Sequence, residues 1–176
     1  MTAIVRLVEK ISGSVGLLAA WVVAPLILAT VYEVFSRYLF NAPTIWAFEL
    51  AYMAMGTNFL LGAAFTLREK GHIRIDLIYT RLSRRSRALI DVAGYLFLFL
   101  PVAFWLTWGL WKYAYFALLS GETSGQSAWN PVIWPFRMVF FMGFLVLALQ
   151  AVAETIKAIG ILRGRAPGDV PEDAPE

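Results

Sequence analysis

Four long apolar runs, at about 15–35, 46–67, 88–119 and 132–156, alternate with short polar interruptions along this chain. Each run reaches the ~17–25 residues that a helix needs to cross the hydrocarbon of a bilayer. Only a helix satisfies its own backbone there, so the pattern predicts four transmembrane helices. The first run follows Arg6 and Lys10, as the core of a signal peptide would. Signal cores are only ~7–15 residues, however, and no small-residue cleavage site ends this one. It is read as an uncleaved first span, with a kink expected at Pro25 because proline removes a backbone donor.

The turn Asn41-Ala42-Pro43 is brief enough to force the first two spans into an antiparallel hairpin. Glu33, Arg37 and Glu49 lie near its tip, with Trp46 opening the second run. Glu33 and Arg37 share a face at i,i+4. Charges near hydrocarbon demand pairing, so an ion-pair clasp including Glu49 is the plain expectation. The sharper alternative makes Arg37 or Glu49 a ligand for substrate or ion. Asn58, near Gly56 and Gly62, suits close helix packing.

The stretch from Arg68 to Arg87 is the one long polar interval, and it is strongly basic. Its HIRIDL segment alternates like a strand, but a lone strand at a membrane surface has nothing to pair with. From Ile75 onward the apolar residues Ile75, Ile78, Tyr79 and Leu82 share a helical face. An amphipathic helix over about 73–84, lying in the interface and set by His72, Arg74 and Asp76, is therefore expected. A pH-sensing role for His72 is the alternative to a plain surface histidine.

In the third run, Trp105, Trp108 and Trp111 precede Lys112. That pattern marks an interfacial aromatic belt with a snorkelling lysine. Pro101 should bend this helix. The following loop, SGETSGQSAWNP, is rich in Gly and Ser and reads as flexible. Ser124, Trp134 and Arg137 lie where a partner on that side would reach. Residues 1–160 form one membrane domain, and the acidic, Pro-rich tail 161–176 reads as disordered.

Charge fixes the orientation. One side carries Arg6, Lys10, the basic central interval, Lys157, Arg163 and Arg165; the other carries Arg37 and Lys112. Because Lys and Arg are retained on the cytoplasmic side, the fold class is all-α integral membrane, four helices, with both termini inside. Composition agrees: 60% of residues are hydrophobic, 15% are charged, and mean hydropathy is +0.67. The net charge of +3 belongs to membrane-flanking segments that meet anionic headgroups, which argues against a nucleic-acid partner. With no Cys and one His, thiolate metal sites, disulfides and bis-histidine haem are excluded. No nucleophile–base pair, phosphate loop or dinucleotide fingerprint is present, so the chain does not read as an enzyme. It also lacks the paired broken helices of a transporter core. The physical reading is a small accessory membrane subunit. A redox-complex anchor and a small homo-oligomeric channel or exporter are the alternatives.

The segments FSRYLFNAPTIWAFELA, LGAAFTLREKGHIRIDLI and GETSGQSAWNPVIWPFRMVFFMGFLVLALQ, in that order, resemble the DctQ-like small membrane subunit (Q) of tripartite ATP-independent periplasmic (TRAP) transporters. The likeness runs from about Gly16 to Glu154. It implies a bacterial inner-membrane protein without cofactors that braces a large transport subunit (M). Uptake of an organic acid or related solute would be sodium-driven, with the sodium ions held by the large subunit. A periplasmic substrate-binding protein would deliver the solute. On this reading Glu33, Arg37, Trp46 and Glu49 form a structural clasp or partner interface. His72, Arg74 and Asp76 hold the inner surface helix, and Ser124, Trp134 and Arg137 face the periplasmic partner.

Overall fold

A computed structural model describes residues 3–69 and 82–164. Helix α1 spans Ala3–Leu39 and α2 spans Ala47–Arg68. The third span is composite: α3 (Arg84–Ala93), a π-helical segment (Gly94–Phe99) and α4 (Leu100–Ser120). Helix α5, the fourth span, covers Trp134–Leu162. All four are long and apolar enough to cross a membrane.

The helices outrun the apolar runs that predict them. α1 begins well before residue 15, because Arg6, Glu9 and Lys10 are polar yet good helix formers. Val5 and Val8 then bury against Ala153 and Ile156 of α5, which gives this extension a packing partner. At 37 residues, α1 is about 55 Å long and must tilt within, or project from, a ~30 Å hydrocarbon layer. It continues through Pro25 without a break.

The π-helical turn in the third span sits immediately before Pro101. Proline has no N–H to offer the i−4 carbonyl, and its ring clashes with that carbonyl, so a wider local register relieves both problems. Ser83 caps α3, its hydroxyl accepting from Ser86 N at 3.2 Å. The interfacial helix expected at 73–84, with His72, Arg74 and Asp76, lies outside the described residues apart from its last three positions. Of these, Leu82 and Ser83 are not helical and Arg84 opens α3. Residues 165–176, most of the expected tail, also lie outside.

α5 is the central element. It packs on α1, on α2 and on all three parts of the third span, whereas α1 packs on α2 and α5. Small residues build the contacts: Ala64, Ala114, Ala117, Ala148 and Ala151 are fully buried. Where α5 crosses α2, Gly143 faces the Leu60 backbone so closely that a Cβ there would lie 3.1 Å from the Leu60 carbonyl oxygen. Such small-residue seams are how helices associate when lipid supplies little hydrophobic drive.

The loop after α4 is tied rather than loose. Gly121 takes the left-handed conformation (φ 64°) and closes α4. Ser124 N then donates to Pro131 O at 2.9 Å, and Ile133 N to Glu122 O at 3.0 Å, around an antiparallel bridge between Thr123 and Val132. Asn130 Oδ1 accepts from Gly125 N at 2.8 Å. The glycines and serines that read as flexible supply the positive φ and hydroxyl acceptors of a short hairpin.

Candidate functional site

Among the described residues polar chemistry gathers at three places, and no group of three or more His, Cys, Asp or Glu side chains could hold a metal ion.

The first lies at the tip of the α1–α2 hairpin. Arg37 Nε donates to Glu33 Oε1 at 2.8 Å, and Arg37 Nη2 pairs with the same oxygen. The other oxygen, Glu33 Oε2, accepts from Thr44 N at 2.9 Å and from the Thr44 hydroxyl. The clasp therefore closes across the turn through Thr44, with Ser36 Oγ donating to Ala42 O beside it. Trp46 stacks on Tyr32 at 5.8 Å between centroids, adding an aromatic fastening.

Glu49 stands apart from this pair. It is completely buried, and neither carboxylate oxygen has a hydrogen-bond partner among the described residues. Its place in the first turn of α2 puts it at the positive end of that helix's dipole, which favours an acidic group.

The second cluster pins the 121–133 loop. Arg137 makes two parallel bonds to Glu122, Nη1 to Oε2 at 2.6 Å and Nη2 to Oε1 at 2.5 Å. Its guanidinium also lies over the Tyr113 ring, 3.6 Å from the centroid. This joins the loop, α4 and α5 through one side chain, and the planar fork of arginine suits both contacts. Arg137 is 6% exposed, so the residue expected at a docking surface is enclosed beneath it. Ser124 and Trp134 are both partly exposed above it.

The third cluster lies at the opposite end of the bundle, where the described ends of α1 and α5 meet. Ser12 Oγ donates to Gln150 Oε1 at 2.7 Å, and Gln150 Nε2 to Glu154 Oε1 at 2.8 Å. Lys157 Nζ then bridges Glu154 and Glu9, at 2.6 Å from each. Ser12 and Gln150 are fully buried. Deeper in the bundle, Asn58 Nδ2 donates to Ala19 O at 2.7 Å and joins α2 to α1 as its spacing suggested.

Sequence reasoning singled out Glu33, Arg37 and Arg137 but missed their partners Thr44, Glu122 and Tyr113. It also missed the Glu9–Ser12–Gln150 part of the third cluster. A signal was available: Gln150 interrupts the fourth apolar run four residues before Glu154, and intramembrane polar groups require partners.

The geometry at these places is that of fastenings between helices and loops. Comparison with curated proteins gives no match. Among protein families, the one described as "Tripartite ATP-independent periplasmic transporters, DctQ component" matches residues 26–160, from the middle of α1 to near the end of α5.

Proposed function

The chain belongs to the DctQ family, the small membrane component of TRAP transporters, and from that premise we propose that it works as a static brace for the large transport subunit. The brace serves sodium-driven uptake of an organic acid or related solute delivered by a periplasmic binding protein. The coupling ions and the solute site belong to the large subunit, and this chain carries no cofactor of its own. The observation that carries the reading is the division of its surface. Three of the four spans bury only 11% of their most apolar segment within this chain, leaving broad apolar faces for a neighbour and for lipid.

The brace sits in the bacterial inner membrane with its termini cytoplasmic. The meeting of α1 and α5 at one end of the bundle, close to Arg6, Lys10, Lys157 and Arg163, supports that orientation. The α1–α2 tip and the 121–133 loop then face the periplasm. There Ser124 and Trp134 offer contact surface to the binding protein, and Arg137 keeps the loop in shape. Glu33, Arg37 and Trp46 hold the hairpin, while Glu49, enclosed within the chain, acts through the packing of the first turn of α2.

Affinity-tagged protein solubilised in detergent should retrieve one much larger polytopic membrane protein. Glu49→Ala should weaken that association or lower uptake without altering which solute is taken. A changed solute preference would overturn the bracing role, as would transport by this chain alone in liposomes.

A further inference from the structure

A groove of about 400 Å³ runs between α4 and α5, lined by Phe104, Thr107, Trp108, Trp111 and Phe141. The four α4 residues follow i, i+3, i+4, i+7 spacing, so they form one stripe along the helix. Thr107 contributes no free polar group, because its hydroxyl donates to Ala103 O at 2.7 Å. One helical turn beyond Trp108, at the loop end of the stripe, stands Lys112. Its ammonium lies 5.2 Å from the centroid of the Trp108 ring and forms no ion pair among the described residues. From Phe104 to Lys112 the helix rises about 12 Å. That is most of the ~15 Å depth of one hydrocarbon leaflet.

We propose that this groove is a binding site for an anionic phospholipid of the leaflet on the Lys112 side. One acyl chain lies along the aromatic stripe and the phosphate-bearing headgroup meets Lys112. The order of the parts supports this occupant. A chain entering from the leaflet surface meets the cation first and, below it, aromatic side chains and the internally bonded Thr107, the sequence of polarity in a phospholipid itself. A smaller groove of about 240 Å³ around Val102, Leu106 and Phe144 has no charged residue in its lining. The proposal requires only that the chain spans a bilayer and is independent of the transport reading.

The test uses a photoactivatable phosphatidylglycerol with the reactive group on its acyl chain. It is added to the full-length chain in phosphatidylcholine bilayers, and to the complex that the tagged chain retrieves from membranes. Labelled residues are mapped by peptide mass spectrometry. Labelling should concentrate on Phe104, Trp108, Trp111 and Phe141 in both preparations. Unlabelled phosphatidylglycerol should suppress it more than phosphatidylcholine does, and inorganic phosphate should have no effect. Lys112→Gln, at an exposed position that leaves the helices intact, should cut the preference for the anionic lipid about fivefold. Labelling around Val102 and Phe144 should be unaffected by that change. Labelling spread evenly over the other exposed apolar residues, such as Leu17, Trp21 and Phe97, would overturn the proposal. So would an unchanged preference in Lys112→Gln. Loss of the groove labels in the retrieved complex would assign the groove to the larger partner instead.

Discussion

The first and fourth spans are nearly equal in apolarity, with mean hydropathies of 2.2 and 2.0 in their most apolar segments. Their surroundings are not equal: 44% of that segment is buried within the chain in the fourth span, but only 11% in the first. Hydropathy measures how readily a segment leaves water and says nothing about whether lipid or protein receives it. The distinction lies in small and polar residues. α5 buries Gly143, Ala148, Ala151 and Ala153 together with Arg137, Gln150, Glu154 and Thr155. α1 leaves Leu17, Leu18, Trp21, Ile27 and Leu28 exposed. Large apolar side chains gain little by moving from lipid to protein, whereas small ones admit a neighbouring backbone and polar ones need a partner. The fourth span is thus the post of the bundle, and the first is half of a face turned outward.

Substitutions that separate these roles should have graded effects. The largest is expected at Gly143→Leu, where even a Cβ presses on the Leu60 backbone. Overpacking there should destabilise the chain by about 3 kcal/mol, seen as a lower unfolding temperature in detergent. Gly62→Leu on α2, with nothing within 4 Å of its added Cβ, should leave that temperature almost unchanged. Equal losses at the two glycines would remove the case for a tight α2–α5 seam.

Arg137→Ala comes next. It strips Glu122 of its partner and Tyr113 of the stacked guanidinium, at a cost of about 2 kcal/mol. Limited proteolysis should then cut the 121–133 loop. Arg137→Lys should restore only part of the protection, because an ammonium lacks the bidentate fork. Full protection in the lysine variant would show that charge alone holds the loop.

A smaller effect, about 1–2 kcal/mol, is expected for Gln150→Leu, which breaks the links to Ser12 and Glu154. A double-mutant cycle with Ser12→Ala should show coupling, since the two side chains share one bond. Strict additivity would mean that the Ser12–Gln150 bond contributes nothing. Smallest of all, Trp21→Leu on the exposed face of α1 should change stability by no more than about 0.5 kcal/mol. If it weakened recovery of the larger partner while leaving stability intact, the outward face of α1 would be placed at that interface.

The Glu33–Arg37 pair and the turn after it were legible because both are local: i,i+4 spacing and a three-residue connection fix geometry without reference to the rest of the chain. Asn58 was legible too, as an amide beside small residues. Thr44 was overlooked because its role appears only when the turn folds back onto α1. The Arg137–Glu122 and Lys157–Glu9 pairs join residues far apart in sequence, one across a hairpin loop and the other across the whole chain. The early start of α1 was hidden for a related reason. Its first turns carry three charges, Arg6, Glu9 and Lys10, among their apolar residues, and they are held by α5, which the sequence places at the opposite end of the chain.

Four apolar stretches of bilayer length were enough to predict the four membrane-length helices, because the transfer of helical backbone and side chains into lipid depends on each segment alone. Which helix stands at the centre, which polar groups meet and which faces remain open depended on tertiary packing. Those features arise from contacts between segments, where steric fit and hydrogen-bond pairing decide, and no single stretch of sequence contains both halves of a contact.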